Sequence, residues 1–193
     1  MPFEDGALYM TVPGAVVIDS CDYVQTKSLT KKLAEYPKLS YMRLIRKNFK
    51  TIYADGSEFE IGKGVTLKDG KDVTIIASGI MLDEALRAEE ILSAEGISAR
   101  VIDMHTWKPI DEELICKAAE ETGCIVTAEN HQVGCGLGSA VANVLVANKP
   151  VPMERVGIQD RFGQVGPQDF LMKEYNLMAE DIVEAVKKVI SRK

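Results

Sequence analysis

The sequence predicts an α/β protein with a three-layer α/β/α architecture, in which a mostly parallel sheet lies between helices and is preceded by a partial βαβ unit. The first supporting observation is a set of short, apolar, β-branched runs, which indicate strands buried on both faces. The second is a set of amphipathic segments that alternate with those runs. Alternating strands and helices favour a parallel sheet covered on both sides.

The clearest strand and helix are adjacent. Residues 73–77 (VTIIA) form a continuous β-branched apolar run, as expected for a buried strand. Apolar residues then recur at spacings of four, three and four, which marks one helix face: Met81, Ala85, Ala88 and Leu92. Gly96 is placed to end this helix.

The alternation continues to the end of the chain. Asp111 opens a helix with an acidic first turn that suits the positive end of the helix dipole, and Gly123 ends it. The other predicted elements are strands at 99–102, 124–128 and 151–158 and helices at 139–147 and around 181–190.

The first 46 residues predict only one βαβ unit, with strands at 15–18 and 41–45 and a helix at 22–36. So small a unit cannot cover both faces of its own sheet. Either its strands join the edge of the second sheet, or the chain begins partway through a larger domain, and we favour the second explanation. We therefore expect residues 72–193 to fold independently and residues 1–46 to depend on a partner chain or a neighbouring copy.

Residues 47–71 separate the two parts. Glycine and aspartate punctuate this stretch, at Asp55-Gly56, Gly62, Gly64 and Asp69-Gly70. Such residues mark turns, so an exposed linker with a small hairpin is predicted. The expected domains are thus 1–46 and 72–193, joined by the linker 47–71.

Composition excludes several classes of protein. The chain has 193 residues, 46% of them hydrophobic and 27% charged, as in an ordinary globular domain. Its net charge of −6 and pI near 5.1 argue against a nucleic-acid partner, which selects for a basic surface. No run of about 18 apolar residues is present, so no membrane span is predicted.

The cysteines indicate neither a zinc site nor a disulfide framework. They form no C-x-x-C pair, and only two histidines accompany them. The expectation is four buried thiols in a cytoplasmic protein, since the N-terminus also lacks the pattern of a secretory signal. The four positions are Cys21, Cys116, Cys124 and Cys135.

Several segments resemble, in order, the C-terminal half of transketolases, especially the split kind whose halves are separate polypeptides. The end of the family's pyrimidine-binding domain and its C-terminal domain are similar to residues 16–26, 41–47, 62–86, 99–111, 127–145 and 154–166. Deoxyxylulose-phosphate synthases and the β subunits of 2-oxoacid dehydrogenases share this layout. The sequences ENHQVGCGLGSAV (129–141) and DRFGQVG (160–166) favour transketolase.

The resemblance implies an enzyme that transfers two-carbon ketol units between sugar phosphates by means of thiamine diphosphate and Mg²⁺. In that family the diphosphate site is marked by a Gly-Asp-Gly sequence, which this chain lacks. The glutamate that activates the cofactor also belongs to an earlier segment. We therefore expect no cofactor on this chain alone, a complementary N-terminal part or subunit as partner, and a homodimer.

The resemblance assigns one substrate contact, the terminal phosphate of the sugar, to Arg46. A guanidinium can hold phosphate oxygens bidentately, and the carboxyl end of a strand points into the crevice that α/β proteins use for ligands. The alternative is a solvated arginine among Arg43, Lys47 and Lys50. Arg43 points to the opposite face of an ideal strand and is the weaker candidate.

Two further features are candidate sites. The turn Gly134–Gly138 could cradle an anion on backbone N–H groups, but close packing of helix on sheet is the favoured interpretation. His131, with Glu129 and Asn130, resembles a catalytic cluster, although the family gives this domain no catalytic residue. His105 beside Trp107 is interpreted as structural. The polar loop 160–162 is interpreted as a surface or interface position.

Other functions remain open at this point. A noncatalytic oligomerisation or small-anion-binding module would keep the fold without the chemistry. Within the enzymes, part of a 1-deoxyxylulose-5-phosphate synthase or of a 2-oxoacid dehydrogenase would share the layout.

Overall fold

The computed structural model describes residues 2–46 and 49–193. Its elements are, in chain order, α1 (Asp5–Met10), β1 (Val16–Asp19), α2 (Tyr23–Ala34), β2 (Ser40–Arg43), β3 (Val65–Lys68), β4 (Val73–Ala77), α3 (Met81–Ala94), β5 (Ala99–Asp103), β6 (Thr106–Lys108), α4 (Glu112–Thr122), β7 (Ile125–Gln132), α5 (Leu137–Asn148), β8 (Met153–Ile158), α6 (Gln168–Glu174) and α7 (Ala179–Ile190).

The larger sheet has five strands in the order β3-β5-β4-β7-β8, and only β3 is antiparallel to its neighbour. Helices α3 and α7 pack on one face around Ile75 and Val126. Helices α4 and α5 pack on the other face around Ile76 and Ile125. The alternating faces of these strands thus supply two separate cores, and the predicted three-layer α/β/α fold is confirmed.

Local signals set the helix ends where the sequence predicted them. The Asp111 carboxylate accepts a hydrogen bond from the Leu114 N–H at 3.2 Å and caps α4. Gly123 ends the same helix with a φ of 68°, in the left-handed region that favours glycine. Helix α3 ends at Ala94, two residues before Gly96.

The first βαβ unit forms a sheet of its own in the order β2-β1-β6. β1 and β2 are parallel, whereas β6 is antiparallel to β1 and comes from the second half of the chain. The first unit therefore does not join the edge of the larger sheet. Instead, β6 covers the edge of β1, and Trp107 of β6 packs in the same cluster as Val17.

Part of the predicted linker belongs to the fold. β3 lies within 47–71 and pairs with β5, and its alternating half-buried and exposed residues are those of an edge strand. Phe59 is buried against β1, in a cluster with Val16 and Ile18. The alternating pattern of Val65 and Leu67 was the signal for this strand, but the surrounding turn residues obscured it. The domain boundaries 1–46 and 72–193 stay a prediction.

The cysteines differ in burial. Cys21 and Cys124 are buried, as expected, and Cys116 is half-buried. Cys135 is exposed, because it lies in the turn between β7 and α5, so the expectation of four buried thiols is wrong there. All four are free thiols.

None of the helices in the described ranges has both the length and the apolar character needed to cross a bilayer.

Candidate functional site

A groove of about 520 Å³ opens at the carboxyl ends of β1 and β2, the edge where parallel sheets bind ligands. Asp19 and Arg43, the last residues of these two strands, line it, as does Asn130 of β7. The opposite wall is apolar and includes Leu171 and Tyr175. The groove thus lies at the junction of the two sheets.

Arg46 lines this groove and is exposed. The strand predicted to run to residue 45 ends at Arg43, so Arg46 belongs to the segment that leaves the sheet. Its position at the carboxyl end of β2 agrees with the predicted placement, whereas its phosphate contact stays a prediction. Lys47, the neighbouring cation considered with it, lies outside the described residues.

Arg43 is buried in a polar group that we call the Arg43 cluster, formed with Asp5, Asp19 and Asn130. Its Nε lies 3.0 Å from Oδ2 of Asp5, and its Nη1 lies 3.3 Å from Oδ1 of Asp19. Nη1 also donates to Oδ1 of Asn130 at 2.8 Å. The guanidinium therefore binds protein carboxylates, which explains why Arg43 is the weaker candidate for a substrate phosphate.

Burial and ion pairing act against each other in this cluster. Burial alone would raise the pKa of Asp5, but Arg43 and the hydroxyl of Tyr41 outweigh it, and the pKa is lowered. At Asp19 burial dominates over Arg43 and the Ser78 hydroxyl, so its pKa is raised. The difference follows from depth, because Asp19 is the more deeply buried carboxylate.

The Gly134–Gly138 turn is already occupied by a carboxyl group of the protein itself. The Glu129 carboxylate is fully buried and accepts the Leu137 N–H at 2.8 Å and the Gly138 N–H at 2.7 Å. A Cβ on Gly136 would lie 1.9 Å from Oε2 of Glu129. The glycines therefore allow close packing at the start of α5, which is the interpretation that the sequence favoured.

Burial raises the pKa of Glu129 to about 8, even though its two backbone N–H partners favour the charged form. This carboxylate occupies the place that an external anion would take at the helix N-terminus. The turn is therefore not available as an anion site.

His131 is buried beneath α1 and is absent from the groove lining. Its Nε2 lies 3.4 Å from the Ala7 N–H, and its Nδ1 lies 3.1 Å from the carbonyl of Gln132. Burial lowers its pKa, so the neutral ring is favoured. The Nδ1 of His131 also lies 3.8 Å from Oε2 of Glu129, and both side chains are fully buried. Asn130 instead lines the groove and binds Arg43. The three neighbours are therefore not brought together at the groove.

His105 and Trp107 are also buried, in agreement with a structural role. The indole Nε1 of Trp107 donates to the Ser78 hydroxyl at 3.0 Å, and that hydroxyl donates to Asp19 at 2.9 Å. Trp107 thereby connects β6 to the floor of the groove.

The described residues do not fit thiamine diphosphate and Mg²⁺. They contain no group of three or more His, Cys, Asp or Glu side chains that could hold a metal ion. The helix N-terminus after the glycine turn could offer backbone N–H groups to a diphosphate, but it is occupied by Glu129.

Sequence reasoning missed Asp5 and Asp19, which set the charge of the groove floor. Asp19 had a detectable signal, because it is a charged residue directly after the apolar run Val16–Ile18 at a strand's carboxyl end. Asp5 had none, because the six-residue helix α1 carries no clear periodicity.

Comparison with known proteins agrees with these features. Residues 62–182 match the family model described as "Transketolase, C-terminal domain". A 6-deoxy-6-sulfo-D-fructose transketolase subunit from a Clostridium species is 42% identical over 100% of this chain and 60% of its own length. A putative transketolase C-terminal section from Methanocaldococcus jannaschii is 45% identical over 95% of this chain and 58% of its own.

Among solved structures, a split-gene transketolase described as an inactive β4 tetramer superposes with a TM-score of 0.94 at 45% identity. The match covers 99% of this chain and 62% of that one. The chain thus spans about 60% of the length of each of these three relatives. On both sequence and structure, the chain belongs to the transketolase family and contains the family's C-terminal domain.

Proposed function

We propose that this chain is the C-terminal part of a transketolase-type enzyme that transfers two-carbon ketol units between sugar phosphates. The observation that carries the proposal is the similarity of the whole chain to transketolase C-terminal sections and subunits of split enzymes. A 1-deoxy-D-xylulose-5-phosphate synthase from Heliobacterium modesticaldum matches only 67% of the chain, so transketolase chemistry is favoured.

Arg46 is the proposed contact for the terminal phosphate of the substrate. Its exposure and its place on the groove at the carboxyl end of β2 support this role. Asp5 and Asp19 hold the neighbouring guanidinium of Arg43, so the two arginines have different roles. A forked guanidinium at a groove edge suits a phosphate dianion.

We further propose that a complementary N-terminal chain binds thiamine diphosphate and Mg²⁺. The chain described here is proposed to be inactive alone and to form homo-oligomers such as a dimer. The lack of a metal-holding group among the described residues supports the first point. The similar split-gene transketolase, an inactive tetramer of β chains, supports the others.

Reconstitution tests this function. The chain should show no ketol transfer by itself, and transfer between sugar phosphates should appear when it is mixed with the complementary chain, thiamine diphosphate and Mg²⁺. The complementary chain alone serves as the control. Transfer by that chain alone, at the rate of the mixture, would sink the proposal and favour a noncatalytic module.

A further inference from the structure

The loop formed by residues 160–166 exposes two apolar side chains, and part of the loop lines the groove. Phe162 is 98% exposed and Val165 is 103% exposed, which is unusual for residues that could pack in a core. Val165 lines the groove that also contains Arg46. Leu44, 58% exposed, adds apolar surface on the β2 side of the same groove.

This loop is held in place by polar contacts at its base. The Tyr175 hydroxyl donates to the carbonyl of Phe162 at 2.7 Å. Gln132 donates to the carbonyl of Arg161 at 2.8 Å, and Arg161 donates to the carbonyl of Glu174 at 2.9 Å. Arg161 also lies over the Tyr175 ring, 4.9 Å from its centroid.

A fixed loop with solvent-exposed apolar side chains has the properties of an interface. Exposing Phe162 and Val165 to water is unfavourable, and burying them against another protein would remove that cost. Because the backbone is already fixed by Tyr175 and Arg161, docking would cost little conformational entropy. Buried aromatic side chains are common among the residues that dominate binding energy.

We propose that the 160–166 loop is a docking surface for the chain that carries thiamine diphosphate. The inference rests on the proposed function, because it takes Arg46 as the phosphate contact. The reacting carbon and the terminal phosphate belong to one small sugar, so the cofactor-bearing chain must approach Arg46 closely. A protein that covers the groove at Arg46 also meets its neighbouring wall, where Val165 lies.

The test measures binding of the purified N-terminal transketolase chain of the same organism, loaded with thiamine diphosphate and Mg²⁺. Three forms of the full-length chain are compared by calorimetry: wild type, the double variant Phe162→Ser/Val165→Ser, and the control Val146→Ser. Val146 is 77% exposed on α5 and does not line the groove. All substituted side chains are solvent-exposed, and equal thermal unfolding curves will confirm that the variants fold.

We expect the dissociation constant of the double variant to rise at least tenfold and that of the control to stay within about twofold. The rise should persist at high salt, because the contact is apolar. Wild-type affinity in the double variant would overturn the proposal. The proposal would also be overturned if the wild type self-associates and the double variant loses this self-association while it still binds the N-terminal chain with unchanged affinity. The loop would then contact a second copy of this chain.

The docking surface and the proposed function can fail separately. Loop-dependent binding without ketol transfer would support the docking surface and contradict the function. Transfer in the mixture at equal affinity for all three forms would support the function and overturn the docking surface. Absence of any binding by the wild type would overturn both.

Discussion

Two arginines three positions apart illustrate how burial decides a residue's role. Arg43 ends β2, is buried, and binds Asp5, Asp19 and Asn130. Arg46 is exposed on the same groove. Removing Arg43 would leave two carboxylates without their shared cation, a cost to folding, whereas removing Arg46 should affect ligand binding alone.

The change Arg46→Ala should mainly weaken the use of phosphorylated sugars by the reconstituted enzyme. A lost charge-assisted contact is worth about 1.5–3 kcal/mol, which corresponds to roughly tenfold to a hundredfold in kcat/KM. Steady-state kinetics with a phosphorylated and an unphosphorylated donor measure the difference. Arg87→Ala, which removes an exposed guanidinium on α3 outside the groove, is the control. Equal losses for both donors would return Arg46 to the role of a solvated surface residue.

Two glycines of one turn provide a matched test of packing around Glu129. A Cβ on Gly136 would lie 1.9 Å from Oε2 of Glu129, whereas a Cβ on Gly134 would meet no atom of the described residues within 4 Å. Gly136→Ala should therefore lower the free energy of unfolding by about 1–3 kcal/mol or more. Gly134→Ala should change it by less than about 1 kcal/mol. Urea unfolding measures both, and similar losses in the two variants would show that the turn does not hold Glu129 closely.

Asp103 should make stability depend on pH. Burial raises its pKa to about 7, although the Tyr53 hydroxyl and the Gln25 amide donate to Oδ2. Its Oδ1 has no hydrogen-bond partner among the described residues. The folded-state pKa lies above the unfolded value near 3.8, so the folded state binds more protons than the unfolded state. The contribution of Asp103 to the free energy of unfolding is therefore complete below about pH 4 and is lost as the pH rises to about 7.

The variant Asp103→Asn should remove this part of the pH dependence, because asparagine does not titrate. The free energy of unfolding, measured by urea titration from pH 4 to pH 8, should fall less steeply with pH than in the wild type. Asp169→Asn, at an exposed position on α6, is the control. An unchanged slope in Asp103→Asn would contradict a raised pKa at this carboxyl group.

At the scale of elements, the sequence predicted those with a strong periodic or apolar signal and missed the short ones. β4 was predicted with its observed bounds, because five β-branched or small apolar residues in a row leave little ambiguity. The missed elements were α1, β3, β6 and α6, each three to seven residues long. Such elements are stabilised by tertiary contacts instead of local propensity.

β6 shows how a short element can link two parts of a chain. Its three residues give too little pattern for a prediction, yet it pairs with β1. Lys108 of β6 donates to the carbonyls of Met10 and Val12, both at 2.7 Å. The first unit therefore gains cover from the second half of the chain, which the sequence could not show because those contacts join residues almost a hundred positions apart.

The edge strand β3 bears on where the second domain begins. A fragment of residues 62–193 keeps β3 against β5, whereas a fragment of 72–193 exposes the edge of β5. We expect the longer fragment to have the higher melting temperature, since it keeps Val65 and Leu67 packed and the edge of β5 paired. Differential scanning calorimetry of the two fragments measures this, and equal melting temperatures would support the boundary at residue 72.

At the scale of the whole molecule, the fold could be predicted more fully than the site. The alternation of strands and helices determines the three layers, because each apolar face must be covered. The site depends on which polar side chains meet across the two sheets. The resemblance to transketolases identified Arg46 as the residue to test, but the sequence could not show that Arg43 pairs with Asp5 and Asp19.

The central claim is that the cofactor site is supplied by another chain, and cofactor affinity tests it most directly. A ligand that binds only the folded state stabilises it by about 2.7 kcal/mol at a hundred times its dissociation constant. Thermal unfolding of this chain is measured with and without millimolar thiamine diphosphate and Mg²⁺, with the reconstituted mixture as the positive control. The melting temperature of the chain alone should stay unchanged, while that of the mixture should rise. A clear rise for the chain alone would show that it contains the cofactor site and would contradict the account.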